Sequence, residues 1–321
     1  MPDESSVSFS LELDGAGGGT SLDGPPVLPS ERATWVHLHA DSPEGRRWLN
    51  EHSGLDPLTV DALVAEETRP RVARFGDGLL VILRGVNLNP GADPDDMISL
   101  RLWVEPKGVI SVWLRRLKAV ADVRESIERG RGPTKAAELL INLAESLGER
   151  MSAVLNDLNE RVDTLEEEVI EKESREIRPK LAELRREAIA LRRYLSPQRD
   201  VLNRLYSERV DWLHDPDRIR IRELADRVTR YVEDLDAVRD RAAVTQDELN
   251  NRVAERMNKT MYVLSIIAAV FLPLGLLTGL LGINVGGIPG SESPLGFAAV
   301  TFLLVAIAGG LVWLFRRVGW I

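Results

Sequence analysis

The residues with the clearest chemical potential lie in a short glycine-rich turn near the end of the sequence. Gly282-Ile283-Asn284 opens the turn, which continues as Val-Gly-Gly-Ile-Pro-Gly to residue 290. The amide oxygen of Asn284 can accept a hydrogen bond from the water shell of a cation or ligate the ion directly, and Gly282 allows neighbouring backbones to approach closely. Because asparagine is also a common helix C-cap, the meaning of the three residues depends on the elements around them.

Two long apolar segments flank this turn. Residues 261–281 and residues 295–315 each run for 21 positions without a charged side chain. At about 1.5 Å per residue, each spans roughly 30 Å, the thickness of the hydrocarbon core of a bilayer, so both are predicted to be transmembrane helices. Basic residues precede the first span and open the tail at 316–321, whereas the loop at 282–294 carries only Glu292. The positive-inside rule therefore predicts cytoplasmic termini and an extracytoplasmic loop in which Glu292 attracts cations.

Composition narrows the class of protein further. The chain carries a net charge of −9, and residues 257–321 contribute +2, so the first 256 residues carry −11. An acidic surface argues against nucleic acid as a partner and raises the local concentration of cations. There is no cysteine, which excludes thiolate metal sites and disulfides. No phosphate loop, nucleophile elbow or metalloprotease motif is present, so no enzymatic activity is predicted.

The part before the spans is predicted to be cytoplasmic and begins with two regions. Residues 1–30 are rich in Gly, Ser, Asp and Pro, which predicts a flexible N-terminal arm. Residues 31–132 alternate short β-branched runs with turn signals, which predicts an α/β domain on a mostly antiparallel sheet. Asp56-Pro57 supplies an N-cap and a first-turn proline for a helix between the first two strands. The predicted fold class is an α+β cytoplasmic domain followed by long antiparallel and stalk helices and two transmembrane helices.

Long helices follow the α/β domain. Residues 133–215 show two apolar seams of helical period, which predicts an antiparallel pair with Pro197 as a kink. Residues 216–281 predict one stalk helix that continues into the first span, because no glycine or proline occurs from 217 to 272. Its cytoplasmic part repeats apolar residues at steps of four and three: Leu224, Val228, Tyr231, Leu235, Val238, Ala242, Thr245 and Leu249. A heptad of this length favours parallel partners, so we predict a homo-oligomer.

One face of the stalk and first span has a composition suited to a pore. It is polar at its cytoplasmic end, apolar in the middle and small near the outside, and comprises Asn258, Met261, Leu264 or Ser265, Ala268, Leu272, Gly275 and Gly279. In a ring of such helices, Met261, Leu264 and Leu272 could close the path by dewetting. The same face could instead be a packing surface whose small residues bring helices close together, and the face alone favours neither interpretation.

Taken together, these elements resemble the CorA family of divalent-cation transporters, which carry a Gly-X-Asn signature at the end of the first of two C-terminal spans. The resemblance covers the chain from about Thr34 onward. It implies a funnel-shaped homopentamer in the bacterial inner membrane, with membrane lipids around it and divalent cations as its cargo. It also implies a selectivity signature at Gly282, Ile283 and Asn284, and a pore lined by Asn258, Met261, Leu264, Leu272, Gly275 and Gly279.

The middle residue of the signature bears on the ion. Gly-Met-Asn is associated with the magnesium transporters of the family, whereas Gly-Ile-Asn is similar to its zinc-transporting branch, so Ile283 implies Zn²⁺, with Mg²⁺ as the alternative. Zinc prefers nitrogen and sulfur ligands, and the spans contain neither His nor Cys. A hydrated zinc ion meets this objection, because Asn284 would then contact the metal through water. Such a site predicts that Co²⁺, Ni²⁺ and Cd²⁺ are carried too.

The sequence also bears on the direction of ion transport and on its coupling to protons, and it leaves two alternative classes of protein. Membrane potential contributes about 2.3 kcal/mol per charge per 100 mV, so passive conduction of a divalent ion favours uptake. Tyr262 is the only titratable side chain from residue 260 to residue 291, so proton coupling would act through the acidic cytoplasmic part or through water. The alternatives are a magnesium/cobalt channel of the CorA type and a membrane-tethered coiled-coil scaffold or sensor.

Several residues before the spans could bind a regulatory metal. His37 and His39 share one strand face, but exposed strand histidines are the simpler interpretation. Acidic clusters at Glu166 to Glu168 and at Asp234 with Asp236 could sense cations, but solvated helix faces explain them as well. At the other end of the sequence, Trp313 and Trp320 flank the tail arginines and fit anchoring at the membrane interface.

Overall fold

The computed structural model describes residues 9–24, 28, 32–66, 68–171, 176–283 and 293–319. The chain divides into two compact units, Met1–Gln246 and Asp247–Ile321, and the boundary falls within one long helix.

A seven-stranded sheet forms the centre of the first unit. Its strands are β1 (Phe9–Leu13), β2 (Gly19–Ser21), β3 (Thr34–His39), β4 (Arg71–Phe75), β5 (Gly78–Gly85), β6 (Ile98–Glu105) and β7 (Gly108–Trp113). Their order is β2-β1-β3-β7-β6-β5-β4, and every neighbouring pair is antiparallel except β3 and β7. The central strands β5, β6 and β7 are almost fully buried, and β5 accordingly reads as a nearly continuous apolar run, whereas β6 also buries Ser99 and Arg101.

The first strands correct the expectation of a flexible arm at residues 1–30. Leu11 and Leu13 are buried, and Phe9 packs edge-on against Trp35 with ring centroids 4.9 Å apart. The glycines between β1 and β2 build a tight turn, in which Oδ1 of Asp14 accepts hydrogen bonds from the backbone N–H groups of Ala16 and Gly18 at 2.7 and 2.9 Å. Glycine-rich composition therefore marks a hairpin at the sheet edge from Phe9 to Ser21.

Short helices cover the sheet. They are α1 (Pro43–Glu51), α2 (Pro57–Val64) and α3 (Lys118–Glu128). Asp56 caps α2 as predicted, since its carboxylate accepts from the N–H groups of Leu58 and Thr59 at 3.0 and 3.1 Å. Trp48 of α1 and Leu63 of α2 join a buried cluster with Val36 and Ile110 of the sheet. Neither α1 nor α3 was predicted from the sequence.

Four long helices follow: α4 (Ala136–Glu171), α5 (Ile177–Ser207), α6 (Asp215–Gly282) and α7 (Gly296–Val318). Pro197 lies inside α5. The helices α4 and α5 pack against each other, and both also contact the sheet, α4 at β5, β6 and β7 and α5 at β4 and β5. The core of the first unit therefore extends from the sheet into this helical layer.

The apolar heptad face of α6, which we call the α6 seam, does not need a second copy of the chain to bury it, although the heptad was the reason for predicting a parallel partner. From Leu224 to Thr245, its heptad residues are buried within the single chain. Side chains of α6 reach the preceding helices: the Tyr231 hydroxyl donates to the carbonyl of Gly148 at 3.1 Å, and Arg220 pairs with Glu145 of α4 at 2.6 Å. Within the first unit, the chain's own α4 and α5 therefore occupy this seam. Self-association must use other surfaces.

In the second unit, the last part of α6 and all of α7 are long and apolar enough to cross a membrane, and none of their apolar windows is buried. Helix α7 ends at Gly319, whose positive φ of 77° gives a left-handed C-cap.

Candidate ion pathway

The residues predicted to line a pore lie on α6. Asn258, Met261, Leu264, Leu272, Gly275 and Gly279 are all helical and all exposed in the single chain. Their steps of three, four and eight residues keep them within an arc of about 120° around the helix, and the run from Asn258 to Gly279 covers roughly 32 Å. This length is close to the thickness of a bilayer core.

The signature lies at the end of this face. Gly282 is the last helical residue of α6, and Ile283 follows it with 50% of its surface exposed. Asn284 and Glu292 lie outside the described residues.

Polar groups within the span are mostly satisfied by the helix itself. The Ser265 hydroxyl donates to the carbonyl of Met261 at 2.8 Å, and the Thr278 hydroxyl donates to the carbonyl of Leu274 at 3.0 Å. Pro273 lies inside the helix and has no N–H, so the carbonyl of Ala269 has no hydrogen-bond donor one turn later. That oxygen is available to water or to a neighbouring helix.

The glycines of this face leave bare backbone. A Cβ atom built on Gly275, Gly279 or Gly282 would meet no other atom within 4 Å. The surface at these positions is therefore open in the single chain. An open surface of this kind is needed both to line a pore and to let another helix pack closely, so it agrees with either interpretation.

The spans also expose an extensive apolar surface. Phe271 and Leu272 on α6 are 68% and 71% exposed, and Phe297 and Phe302 on α7 are 86% and 77% exposed. A surface of this kind requires lipid or other protein to cover it. At the end of α7, the Arg317 guanidinium lies 5.4 Å from the centre of the Trp313 ring, an arrangement suited to a membrane interface. Trp320 lies outside the described residues.

The two strand histidines are not the exposed pair that the sequence suggested. His37 is buried and its Nδ1 lies 2.7 Å from the hydroxyl of Ser111, while His39 is half-buried with its ring edge-on to Trp113. Burial, reinforced by the charges of Arg124 and His39, lowers the pKa of His37 to about 3. His37 is therefore a neutral residue of the packed interior.

Both acidic clusters of the helices contain carboxylates that form ion pairs. Glu166 pairs with Arg241 at 2.6 Å, and Asp236 lies 2.8 Å from Arg192 and 3.0 Å from Arg239. Within the described part of the chain, no group of three His, Asp or Glu side chains is placed to hold a metal ion. Arginine partners account for these carboxylates without a bound cation.

Comparison with known proteins identifies the family. The model of the family described as "CorA-like Mg2+ transporter protein" matches residues 30–317. The chain belongs to this family. Its relatives in the CorA-like family include the zinc transport protein ZntB of Pectobacterium carotovorum subsp. carotovorum (strain PC1), with 40% identity over 99% of this chain and 97% of the relative. The divalent cation transporter CmaX of Pseudomonas aeruginosa is 42% identical over 99% of this chain and 98% of the relative.

Solved structures share the fold over the full length. The structure of full-length CmaX matches with a TM-score of 0.85 and 41% identity, covering 99% of both chains. The CorA magnesium transporter of Methanocaldococcus jannaschii matches with a TM-score of 0.84 over 98% of this chain, and its identity of 21% extends the likeness to the fold alone.

Sequence reasoning missed one concave site in the first unit. A groove of ≈ 540 Å³ opens beside α3, and we call it the α3 groove. Its walls come from β1, β3, β7, the turn at Asn89 and α3 itself, which are far apart in the sequence. No motif connects such dispersed residues, and β1 lies in the region predicted to be a flexible arm.

Proposed function

We propose that this CorA-like chain carries divalent cations across the bacterial inner membrane, with zinc as its main cargo. The observation that carries the proposal is its similarity over almost the full length to one relative named as a zinc transport protein and another named as a divalent cation transporter. Two exposed helices of spanning length agree with a site of action in the membrane.

The pathway is formed by several copies of the chain. Two spans in one chain cannot enclose a pore, so a ring of α6 helices must surround it, and the family resemblance implies five copies in a funnel-shaped homopentamer. The α6 face from Asn258 to Gly279 lines the lumen in this arrangement, and α7 faces the lipid. The self-association surface therefore lies in the spans and outside the buried heptad seam.

Selection and closure occur at different depths along this lumen. Met261, Leu264 and Leu272 supply apolar rings that close the path by excluding water. Asn284 at the outer mouth contacts the hydration shell of the ion through its amide oxygen, and Glu292 raises the local cation concentration. Because the lining offers oxygen and no imidazole or thiolate, a hydrated ion suits it better than a bare zinc ion.

Uptake is the favoured direction. The termini face the cytoplasm in the topology that the basic flanks favour. A potential of 100 mV, negative inside, contributes about 4.6 kcal/mol to the entry of a divalent ion, or roughly three powers of ten in concentration ratio. Proton coupling, where it operates, acts through the acidic first unit or through water. Dependence of zinc flux on an imposed pH gradient that disappears when Tyr262 is replaced by Phe would contradict this assignment.

The decisive experiment is flux into liposomes that contain the purified oligomer and a zinc-sensitive dye. Wild type should carry Zn²⁺, and Co²⁺, Ni²⁺ and Cd²⁺ should compete with it, while Asn284→Ala should reduce the rate and weaken discrimination. Zinc flux that excludes the other three ions completely would refute the hydrated-ion site. Faster flux of Mg²⁺ than of Zn²⁺ would support the magnesium alternative.

The pore face has a matched control within the same turn of the helix. Leu272 lies on the proposed lumen, whereas Leu274 lies about 160° away around α6 and only about 3 Å along it. Leu272→Asn should hydrate the constriction and increase leak flux, whereas Leu274→Asn should not. Equal effects of the two substitutions would favour a packing face. Absence of divalent flux from a well-folded oligomer would favour the scaffold alternative.

A further inference from the structure

The α3 groove has the composition of a binding site for a small organic anion. It has a volume of ≈ 540 Å³, within the usual range for ligand pockets. Arg116, Lys118 and Arg124 line it, and no carboxylate does. Three cationic side chains therefore lie on one apolar concavity in a chain of net charge −9.

The start of α3 adds donors to the same groove. Leu117 occupies the N-cap position without a side-chain hydrogen bond, and the first turn contains no acidic residue. The first N–H groups of a helix carry a partial positive charge, and in α3 the N–H of Val120 already donates to the carbonyl of Leu117 at 3.1 Å, so those of Lys118 and Ala119 are the donors left for a ligand. Lys118 opens this turn and is itself exposed. An anion at this point would meet backbone donors and the lysine together.

Two buried side chains, Trp113 and His37, form part of the groove wall. Trp113 is 5% exposed, and its Nε1 is closed to solvent, so this residue offers the groove its ring surface. His37 is 7% exposed, and its Nδ1 lies 2.7 Å from the Ser111 hydroxyl. The Ser111 hydroxyl accepts a hydrogen bond from Trp35 Nε1 at 2.7 Å. Its own proton has two acceptors in reach, His37 Nδ1 at 2.7 Å and the carbonyl of Val36 at 3.4 Å, and we assign it to the nearer, so Ser111 donates to His37 Nδ1.

The tautomer of His37 follows from this hydrogen bond. A neutral imidazole that accepts at Nδ1 carries its proton on Nε2. No described residue accepts from that Nε2–H, although His37 lines the groove. This Nε2–H is a donor on the groove wall, and an acceptor from a ligand would satisfy it.

The apolar wall indicates the body of the ligand. Phe9, His37 and Trp113 follow one another, with ring centroids 4.9 Å apart for the first pair and 5.9 Å for the second, and the rings of the second pair are nearly parallel at 8°. The Arg124 guanidinium lies 4.9 Å from the Phe9 ring centre and pairs with Glu128 at 2.9 Å. Aromatic surfaces of this kind favour a flat aromatic body.

We propose that the α3 groove binds an aromatic carboxylate, with its ring against Phe9, His37 and Trp113 and its carboxylate at the start of α3 beside Lys118 and Arg124. This site is separate from the cation pathway and does not depend on the function proposed above. It gives the first unit a ligand of opposite charge to the transported ion.

The test uses the full chain in lipid nanodiscs and 4′-fluorobiphenyl-4-carboxylate, observed by fluorine NMR relaxation, with empty nanodiscs subtracted. The carboxamide of the same ring system is the matched neutral compound. The carboxylate should bind about tenfold more tightly than the carboxamide, because charge-assisted hydrogen bonds recognise only the anion. Equal binding of the two compounds, or binding no greater than to empty nanodiscs, would overturn the proposal.

Variants locate the site. Ala121 is exposed in the groove, so Ala121→Trp should fill it and abolish binding without disturbing the core. Lys118→Gln and Arg124→Gln should each weaken binding about three- to tenfold, whereas Lys107→Gln, an exposed lysine outside the groove, should not. Hydrogen exchange should slow at residues 117–124 when the carboxylate is present. Unchanged binding to Ala121→Trp, or equal effects of the three charge variants, would refute the assignment.

Discussion

The buried His37 makes a specific contribution to the pH dependence of stability. Its folded pKa of about 3 lies below the ordinary histidine pKa of 6.5, so the unfolded chain binds more protons between these values. Stability from this group is therefore complete above pH 6.5 and is lost as pH falls toward 3. On going from pH 7.5 to pH 5.0, the loss amounts to about 2 kcal/mol, because each pKa unit corresponds to about 1.36 kcal/mol.

This loss can be measured by hydrogen exchange at the amides of β3 and β7 in the full chain, corrected for the intrinsic effect of pH. Protection of wild type should fall about thirtyfold more between pH 7.5 and pH 5.0 than protection of His37→Asn, which keeps an acceptor for the Ser111 hydroxyl and does not titrate. His37→Phe keeps a ring against Trp113 and should show the same reduced slope, although its absolute stability can differ.

Agreement between the two variants would separate titration from packing, since they preserve different contacts of His37. Carboxylates whose pKa values are lowered, such as Asp96 beside Arg115, also destabilise the chain in acid, but they contribute equally to all three proteins. An identical pH slope for wild type and both variants would show that His37 does not enter the fold as a neutral buried residue. It would also remove the basis for its tautomer in the α3 groove.

Two further substitutions test the packing of the first unit. Leu235 is completely buried in the α6 seam, so Leu235→Ala should lower the free energy of unfolding by about 2–5 kcal/mol without changing the oligomeric state. Val244 is 69% exposed, so Val244→Ala should have little effect on stability. Hydrogen exchange measures the stability of each variant, and light scattering measures its oligomeric state. A Cβ on Gly78 would overlap the Trp103 ring, so Gly78→Ala should destabilise the β4–β5 hairpin by about 1–3 kcal/mol. A Cβ on Gly148 would have its nearest contact at 3.9 Å, so Gly148→Ala should be neutral or stabilising in thermal unfolding.

The sequence predicts most of the first unit because its elements have clear periods. Strand β5 is a nearly continuous apolar run, β6 begins with apolar and polar residues in alternation, and the α4 and α5 seams repeat at helical spacing, so each pattern has one simple interpretation. The hairpin of β1 and β2 was missed because its apolar alternation spans only Phe9 to Leu13 inside a glycine-rich region. Short helices such as α1 carry too few turns for a period to be visible.

The heptad repeat of α6 shows a limit of prediction from apolar periodicity. A repeat of apolar residues establishes that one face of a helix is buried, but it does not identify the partner. In this chain, α4 and α5 return to cover the seam, and ion pairs such as Arg220 with Glu145 and Arg241 with Glu166 fix the contact. Nothing in the α6 sequence distinguishes a neighbouring helix of the same chain from the α6 helix of another copy.

Because the α6 seam is buried within one chain, the proposed contacts between copies lie on other surfaces, and this affects how the proposed pathway can open and select ions. In the proposed arrangement, copies meet through the spans and surfaces outside the seam, so the proposed rings of Met261, Leu264 and Leu272 can separate without exposing the core of the first unit. An ion on this proposed path need not be stripped of water, since the α6 face offers no imidazole or thiolate to replace it. A site that contacts water discriminates poorly among ions of equal charge.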